Sequence, residues 1–341
     1  MKTNILAGII LFAALTAIAQ PTHTAKITIR VVDESGKPIT DAPVRTSSVL
    51  NGYKMGSEFG EEPDYKDITV LTDVRGEAVI TTPNALSPFQ YMVMNFPGYY
   101  AGTGEYNFKE ASIIGRWQPW NPTVELVLKA VGVQVSMYAR EVMDQKIPVQ
   151  GKPIGFDLMV GDWVQPYGMG TTPDFIFQLD STITKTITNR ALAFNGGTRI
   201  WTNALHDNRL TIRFSNEGDG IQFVASMAGG LRLPRLAPTE GYQAILNERE
   251  WLEHTTNQWH QSFIQTHTDF NKDVNYFFRV RTKKDSTGKI ISALYGKIYG
   301  DFSNNIGHEK INFTYYLNPE PNSRNMEFGK NLFKNSPALW P

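Results

Sequence analysis

Short runs in which apolar and polar residues alternate recur along most of the chain. In Ile27–Val31 every second side chain is apolar, which is the period of a strand with one buried face. The same alternation returns in Thr123–Leu128, Leu210–Phe214 and Ile311–Leu317. The polar segment Asn216–Gly220 separates two such runs in the manner of a hairpin turn. The pattern therefore predicts a mainly β protein.

One segment departs from the period of two. Between Gly241 and Gln261 several large apolar residues fall close to one stripe of a helix. These residues are Ile245, Leu246, Trp251, Leu252 and Trp259. The sequence therefore predicts one helix over 241–261, within the β-rich second part of the chain.

The chain begins with a segment of a different kind. Lys2 precedes an apolar run from Ile5 to Ile18, and Ala17 and Ala19 are the small residues that a signal peptidase reads. The run is shorter than the roughly 20 residues that a membrane-spanning helix needs. We therefore predict a signal peptide over 1–19, cleaved after Ala19. Its removal implies export to the periplasm or the cell exterior.

The remaining chain is longer than one typical domain, so two domains are expected. The first, residues 20–130, carries several short motifs that combine a turn with a strand. They are Val31-Val32-Asp33, Gly36-Lys37-Pro38-Ile39, Ala42-Pro43-Val44, Thr72-Asp73 with Gly76, and Gly98-Tyr99.

With these motifs, residues 25–130 resemble the carboxypeptidase-regulatory-like family, whose modules are transthyretin-like, Ig-like β-sandwiches. The resemblance implies an accessory module that spaces, docks or stabilises, and it implies no catalytic residue. An insert from Asn51 to Lys66 departs from the family. It is rich in glycine and acids, which predicts an exposed loop.

The second domain, residues 131–341, is expected to be a larger, β-sandwich-like domain with the one helix. Its motifs are Gly155-Phe156-Asp157-Leu158, Gly161-Asp162-Trp163, Leu294–Phe302 and Tyr315–Pro319. Through them it resembles uncharacterised secreted bacterial proteins, and this resemblance implies no activity.

Composition removes several functional classes. The chain has 33 basic and 33 acidic residues and a formal net charge of zero, so it lacks the positive field that attracts nucleic acid. It contains no cysteine, which excludes disulfides, thiolate zinc sites and cysteine nucleophiles. We expect no nucleic-acid partner, no cofactor and no membrane span in the mature chain. The oligomeric state is left open.

Catalytic and metal-binding patterns are weak. His254, His260 and His267 are spaced by six and seven residues, whereas two ligands on one helix face are four apart. Asp269–Asn275 begins like a calcium loop but lacks its glycine and its final glutamate. The chain has no Gly-x-Ser-x-Gly motif. We therefore predict no catalytic residue and no metal ligand.

Aromatic residues near prolines give the strongest indication of binding. Exposed aromatic faces stack on sugar rings or on peptide prolines, and amide and arginine side chains orient polar ligands. The alternative for every candidate is packing in the core or capping of a turn. The candidate ligand-binding residues are Trp117, Trp120, Trp163, Tyr167, Tyr316, Asn318, Arg324 and Asn325.

The sequence thus favours a secreted or periplasmic, non-catalytic protein of the bacterial envelope that binds or scaffolds, with a glycan or an envelope protein as partner. One alternative is a polysaccharide-active enzyme, which needs a deep polar cleft with two close carboxylates. Another is a structural subunit of a surface assembly, which needs an apolar patch or an open strand edge.

Overall fold

A computed structural model describes residues 23–55, 61–82, 86, 88–112, 115–192, 197–256, 258, 262–271, 273–302, 308–334 and 339. The signal peptide lies outside these ranges, so its cleavage stays a prediction. The described residues form β-strands and no α-helix, which confirms the mainly β class. Across the same ranges no helix is long and apolar enough to cross a membrane.

The chain forms two compact units. The first contains the residues up to Pro97 together with Ala101–Leu128, and the second contains Gly98–Tyr100 and the chain from Lys129 onward. The independent folding of residues 20–130 stays a prediction.

The first unit holds three sheets among its described residues. Its strands are β1 (Ala25–Asp33), β2 (Pro43–Met55), β3 (Glu61–Leu71), β4 (Glu77–Thr82), β5 (Phe89–Val93), β6 (Gly102–Tyr106), β7 (Lys109–Ser112), β8 (Arg116–Gln118) and β9 (Thr123–Leu128). The strand orders are β3-β2-β5-β6, β4-β1-β9 and the pair β7-β8.

In the larger sheets of the first unit, strands such as β4 and β5 bury alternate residues, whereas β1 also buries Thr28 and Val32 of its other face. In β1 the alternate residues Ile27, Ile29 and Val31 are buried, as the period of two predicts. A Cβ on Gly102 of β6 would lie 2.3 Å from Cδ2 of Leu128 in β9. Because this glycine lets two strands of different sheets approach closely, the sheets share one core.

The prediction of an exposed loop over residues 51–66 is wrong for the described residues 51–55 and 61–66, which lie in strands. Strands β2 and β3 continue as a hairpin, with pairing that reaches Met55 and Glu61. Within this extension Asn51 donates to Asp64 on the other strand at 3.1 Å, and just before it Arg45 bonds to Asp67. A composition of glycine and acids does not reveal such pairing, because the partners lie on the other strand.

The second unit holds two six-stranded sheets. Its strands are β10 (Val135–Lys146), β11 (Ile154–Asp157), β12 (Asp162–Trp163), β13 (Phe175–Leu192), β14 (Thr198–Phe214), β15 (Gly220–Ala225), β16 (Ile245–Thr256), β17 (Ser262–Thr268), β18 (Val274–Lys284), β19 (Ile290–Tyr299), β20 (Lys310–Asn318) and β21 (Phe328–Asn331). The strand orders are β12-β11-β13-β14-β16-β17 and β15-β18-β19-β20-β10-β21.

The main core of this unit lies between its two sheets. Phe175 and Phe177 of β13 pack with Phe278 of β18 and Phe313 of β20. The residue before Phe278 in β18, Phe277, points to the other side of its sheet and belongs to a second apolar cluster. The sheet that contains β18 is therefore buried on both faces, which explains the continuous apolar runs in its strands.

The predicted helix over 241–261 is wrong. Residues 245–256 form strand β16, and it pairs with β14 from Arg213 opposite Ile245 to Asp207 opposite Trp251. Both faces of β16 carry a mixture of apolar and polar residues, so its period of two is hidden in the sequence. Pairing with β14 decides the structure, because strand preference depends mainly on such tertiary context.

Candidate functional site

Several of the predicted binding residues belong to the core of the second unit. The buried ones are Trp163, Tyr316 and Asn318. The Trp163 ring lies 5.3 Å from Phe156 and 5.7 Å from Phe177, in edge contacts. Its indole nitrogen donates to the carbonyl of Lys146 at 3.0 Å. Trp163 therefore packs as a core residue with its polar atom satisfied.

The predicted polar residues near the C terminus make hydrogen bonds to other residues of the protein. Asn318 donates to the hydroxyl of Ser323 and to the carbonyl of Asn325, each at 3.0 Å. Arg324 donates to the carbonyl of Ala237 at 2.8 Å, and Asn325 donates to another backbone carbonyl at 2.6 Å. Asn318 thus caps the turn after β20, whereas Arg324 and Asn325 bind backbone carbonyls of distant parts of the chain.

The two tryptophans of the first unit are both half-buried. The Trp117 ring lies 6.3 Å from Phe108, which in turn lies 5.9 Å from Phe89. The guanidinium of Arg116 covers the Trp120 ring at 4.7 Å from its centre. One ring thus belongs to an aromatic cluster, and a cation occupies one face of the other.

A different arrangement occurs in residues 163–170, which we call the Tyr167 loop. Trp163 at its start is 2% exposed, whereas Tyr167 is 43% exposed and Met169 is 77% exposed. The loop is thus anchored in the core at one end and presents two apolar side chains to solvent. The sequence indicated Tyr167, but it gave no signal for a single methionine in a glycine-rich turn.

Asp162 clamps the backbone of the Tyr167 loop. Its Oδ1 accepts from the N–H of Trp163 at 2.8 Å, and its Oδ2 accepts from the N–H of Met169 at 2.9 Å. Hydrogen bonds that backbone N–H groups donate to a carboxylate are among the stronger ones in proteins. The clamp therefore fixes both ends of the loop through one side chain.

Backbone hydrogen bonds also join the two ends of the Tyr167 loop. The N–H of Gly170 donates to the carbonyl of Trp163 at 2.8 Å, and the N–H of Gln165 donates to the carbonyl of Gly170 at 3.1 Å. A Cβ on Gly168 would lie 2.5 Å from the Trp163 carbonyl oxygen, so the close approach requires glycine. Binding through Tyr167 and Met169 would therefore need little further ordering of the chain.

A buried ion cluster connects distant parts of the second unit. Nε of Arg281 lies 2.8 Å from Asp174, and another guanidinium nitrogen lies 3.0 Å from Asp157. Burial raises the pKa of Asp174 although Arg281 opposes the change. Burial also disfavours ionised Asp157, but the N–H groups of Thr171 and Thr172 and the charge of Arg281 together hold its pKa below the ordinary value. The cluster is paired internally, as a structural ion cluster is.

A second group of buried carboxyl groups has raised pKa values. Burial, together with the charges of Asp301 and Asp269, raises the pKa of Glu248 to about 8. Burial also raises the pKa of Asp301, whose oxygens accept from the Tyr276 hydroxyl at 2.9 Å and from the N–H of Asn271 at 3.0 Å. Such perturbed pairs are candidates for acid–base chemistry.

The pocket beside Asp301 contains Glu141 as a second carboxyl group, but it does not contain Glu248. Asp301 lines an open pocket of about 210 Å³ together with Glu141, Phe270 and Asn312 among others, and Glu248 is not part of that lining. Because hydrolysis of a glycoside needs both carboxyl groups on one cleft, Glu248 and Asp301 do not form such a pair in this pocket.

Two of the three histidines considered as metal ligands, His254 and His267, lie on the paired strands β16 and β17. His254 of β16 faces Ile264 of β17, and His267 of β17 stacks on Trp251 at 5.0 Å between ring centres. His260 lies outside the described residues. Within the described ranges no three side chains among His, Asp and Glu are grouped so that they could hold a metal ion.

No protein-family model matches the chain, and no curated protein matches it. One solved structure, titled "Structure of the Streptococcal ancillary pilin", is similar with 13% sequence identity and a TM-score of 0.21. The match covers 61% of this chain and 57% of the pilin chain. A similarity at this level supports no statement about fold or function.

Proposed function

We propose that the chain is an exported, non-catalytic binding or scaffolding protein of the bacterial envelope, and that it recognises a protein partner through the Tyr167 loop. The observation that carries the proposal is a fixed backbone that exposes Tyr167 and Met169. Tyrosine and methionine are enriched in protein interfaces, and a fixed loop loses little conformational entropy on binding.

The non-catalytic part of the proposal is supported by the state of the buried acids. Arg281 pairs with both Asp157 and Asp174, and Glu248 lies outside the open pocket that Asp301 lines with Glu141. The protein partner is favoured over a glycan because the tryptophans predicted as a sugar platform are half-buried or buried.

The test compares two double variants of the exported protein. Tyr167→Ala with Met169→Ala removes the exposed pair, and Tyr65→Ala with Met94→Ala removes the same residue types from exposed positions in the first unit. We expect wild type and the Tyr65/Met94 variant to be retained equally by isolated envelopes of the native host. We expect the loop variant to lose most of this retention.

Protease treatment of the envelopes and a parallel panel of immobilised polysaccharides identify the partner class. Retention that protease abolishes supports a protein partner, and retention on the polysaccharides contradicts it. Equal retention of the loop variant and wild type would show that the Tyr167 loop does not bind.

A second candidate, a structural subunit of a surface assembly, is favoured by the hairpin of β13 and β14. Pairing of β14 with β16 ends at Asp207, and beyond this point Ile183, Ile200 and Trp201 are exposed. If this ribbon joins subunits, changing Ile200 and Trp201 to Ser should abolish assemblies larger than a dimer in envelope extracts. Unchanged assemblies would exclude the ribbon as the joint.

A further inference from the structure

One sheet of the second unit ends in a strand without a partner on its outer side. β17 is the last strand in the order of its sheet, and within the described part of the chain it pairs with β16 alone. Its residues are Ser262-Phe263-Ile264-Gln265-Thr266-His267-Thr268. An edge strand presents a row of N–H and C=O groups that can pair with another chain.

The direction of these groups follows from a bond at the end of the strand. The N–H of Asp269 donates to the carbonyl of Arg249 at 2.9 Å, so Asp269 faces β16. Successive residues of an antiparallel strand direct their backbone groups to opposite sides. The backbone groups of Ile264 and Thr266 therefore point away from β16, and no described backbone group bonds to them.

The composition of β17 differs from that of the long edge strand in the first unit. β3, which ends the order of its sheet, contains Pro63 and five charged residues, Glu61, Glu62, Asp64, Lys66 and Asp67. Proline and charge at an edge oppose pairing with another chain. β17 contains no proline, lysine, arginine, aspartate or glutamate, so it lacks these protections.

We infer that β17 pairs antiparallel with β17 of a second copy of this chain, across a two-fold axis at Gln265. In this register Ile264 of one copy lies opposite Thr266 of the other, and each pair exchanges both backbone bonds. Phe263 and Ile264, which are 47% and 37% exposed, lie on opposite faces of the strand, so the added strand covers apolar surface on both faces.

A second copy fits this edge because the pairing is self-complementary. No like charges meet when a strand without Lys, Arg, Asp or Glu faces itself. A charged strand from another protein would find no opposite charge on β17. One pair of seven-residue strands is a small interface, so the association is reversible and depends on concentration.

This inference does not rest on the proposed function. The Tyr167 loop follows β12, which is the first strand in the order of the sheet, whereas β17 is the last. The two surfaces thus belong to opposite edges of one sheet, and failure of one leaves the other intact.

The first experiment is sedimentation of the purified protein over a range of concentrations, with charges placed at the axis. Wild type should form dimers as its concentration rises. Gln265→Lys and Gln265→Glu each put like charges opposite one another and should weaken the dimer about fivefold. An equimolar mixture of the two variants should restore it. Thr182→Lys, at an exposed position of β13, is the control and should leave the dimer unchanged.

The second experiment removes one outward N–H. Thr266→Pro should weaken the dimer about tenfold or more, because the substitution removes one intermolecular hydrogen bond from each of the two copies. The melting temperature should change little, since this N–H does not bond to β16. Thr266→Ala keeps the N–H and should dimerise normally. The inference would be overturned if wild type stays monomeric, or if the charge variants dimerise as wild type does. In that case a strand of another protein is the alternative partner for the edge of β17.

Discussion

The side-chain nitrogen of Lys297 lies 4.9 Å from the centre of the Tyr316 ring, directly across from it on the neighbouring strand. The same nitrogen lies 2.9 Å from the Tyr299 hydroxyl. Lys297 is 1% exposed, and burial lowers its pKa to about 7 although Glu327 acts in the opposite direction. The fold therefore contains a buried amine whose charge is unfavourable near neutral pH.

Replacing Lys297 by Met should stabilise the protein most at low pH. Between about 7 and 10.5 the unfolded chain binds more protons than the folded chain, so wild-type stability rises with pH in this window. The cost of the buried charge is complete below pH 7. The advantage of Lys297→Met in unfolding free energy should therefore reach on the order of 5 kcal/mol at low pH and shrink as pH rises through the window.

Thermal melting of wild type and Lys297→Met across this range measures the effect. Lys185→Met, at an exposed position, is the control and should show no comparable trend. An advantage that does not change with pH would mean that packing and not charge determines the difference.

Glu248→Gln should show the opposite pH dependence. The folded pKa of Glu248 is about 8 against an ordinary 4.5, so between these values the folded chain holds a proton that the unfolded chain releases. Wild-type stability therefore falls as pH rises through this window. The glutamine variant should gain an advantage on the order of 5 kcal/mol by the upper end of the window and none below its lower end.

Urea unfolding at several pH values tests the Glu248 prediction. Glu240→Gln, at an exposed position, serves as control. If wild type and Glu248→Gln lose stability in parallel as pH rises, the carboxyl group of Glu248 is ionised without a burial cost.

Arg281→Ala should be among the most damaging substitutions in the second unit. It leaves the buried carboxyl groups of Asp157 and Asp174 without their cation, and breaking a buried ion pair in this way costs about 3–5 kcal/mol. Arg249→Ala breaks a more exposed pair with Asp207 and should cost about 0–1 kcal/mol. Chemical denaturation of both variants gives the two values, and similar losses would contradict a special role for the buried cluster.

The strand content was predictable because alternation is local. Ile27, Ile29 and Val31 carry their burial in their own spacing. The error at 241–261 arose where a strand is defined by its neighbour: Leu246 faces Ile212 across the sheet, and no local pattern records that pairing. The pairing of residues 51–55 with residues 61–64 was missed for the same reason, since Asn51 and Asp64 are on different strands.

The candidate site was predictable only in part. An aromatic residue at a turn is either buried in the core or exposed for binding, and the amino-acid composition of the turn does not show which. Trp163 and Tyr167 occupy one loop, yet the first packs between Phe156 and Phe177 and the second faces solvent. The carboxylate clamp of Asp162 had no sequence signal at all, because the backbone N–H groups that donate to it are placed by loop geometry and not by residue type.

Asp162→Ala should separate the order of the Tyr167 loop from its contacts. The substitution leaves Tyr167 and Met169 in place but releases the N–H groups of Trp163 and Met169 from the carboxylate. Amide hydrogen exchange over residues 163–170 should speed up, and overall stability should fall by about 1–3 kcal/mol because charged hydrogen bonds are lost. Retention on native envelopes should weaken as well, since binding must then order the loop.

Asp33→Ala removes a comparable clamp on Ser35 and Lys37 in the first unit and should leave both loop exchange and retention unchanged. Faster amide exchange with full retention would show that the fixed backbone is irrelevant to binding. Unchanged exchange would show that the backbone hydrogen bonds of Gly170 alone keep the loop ordered.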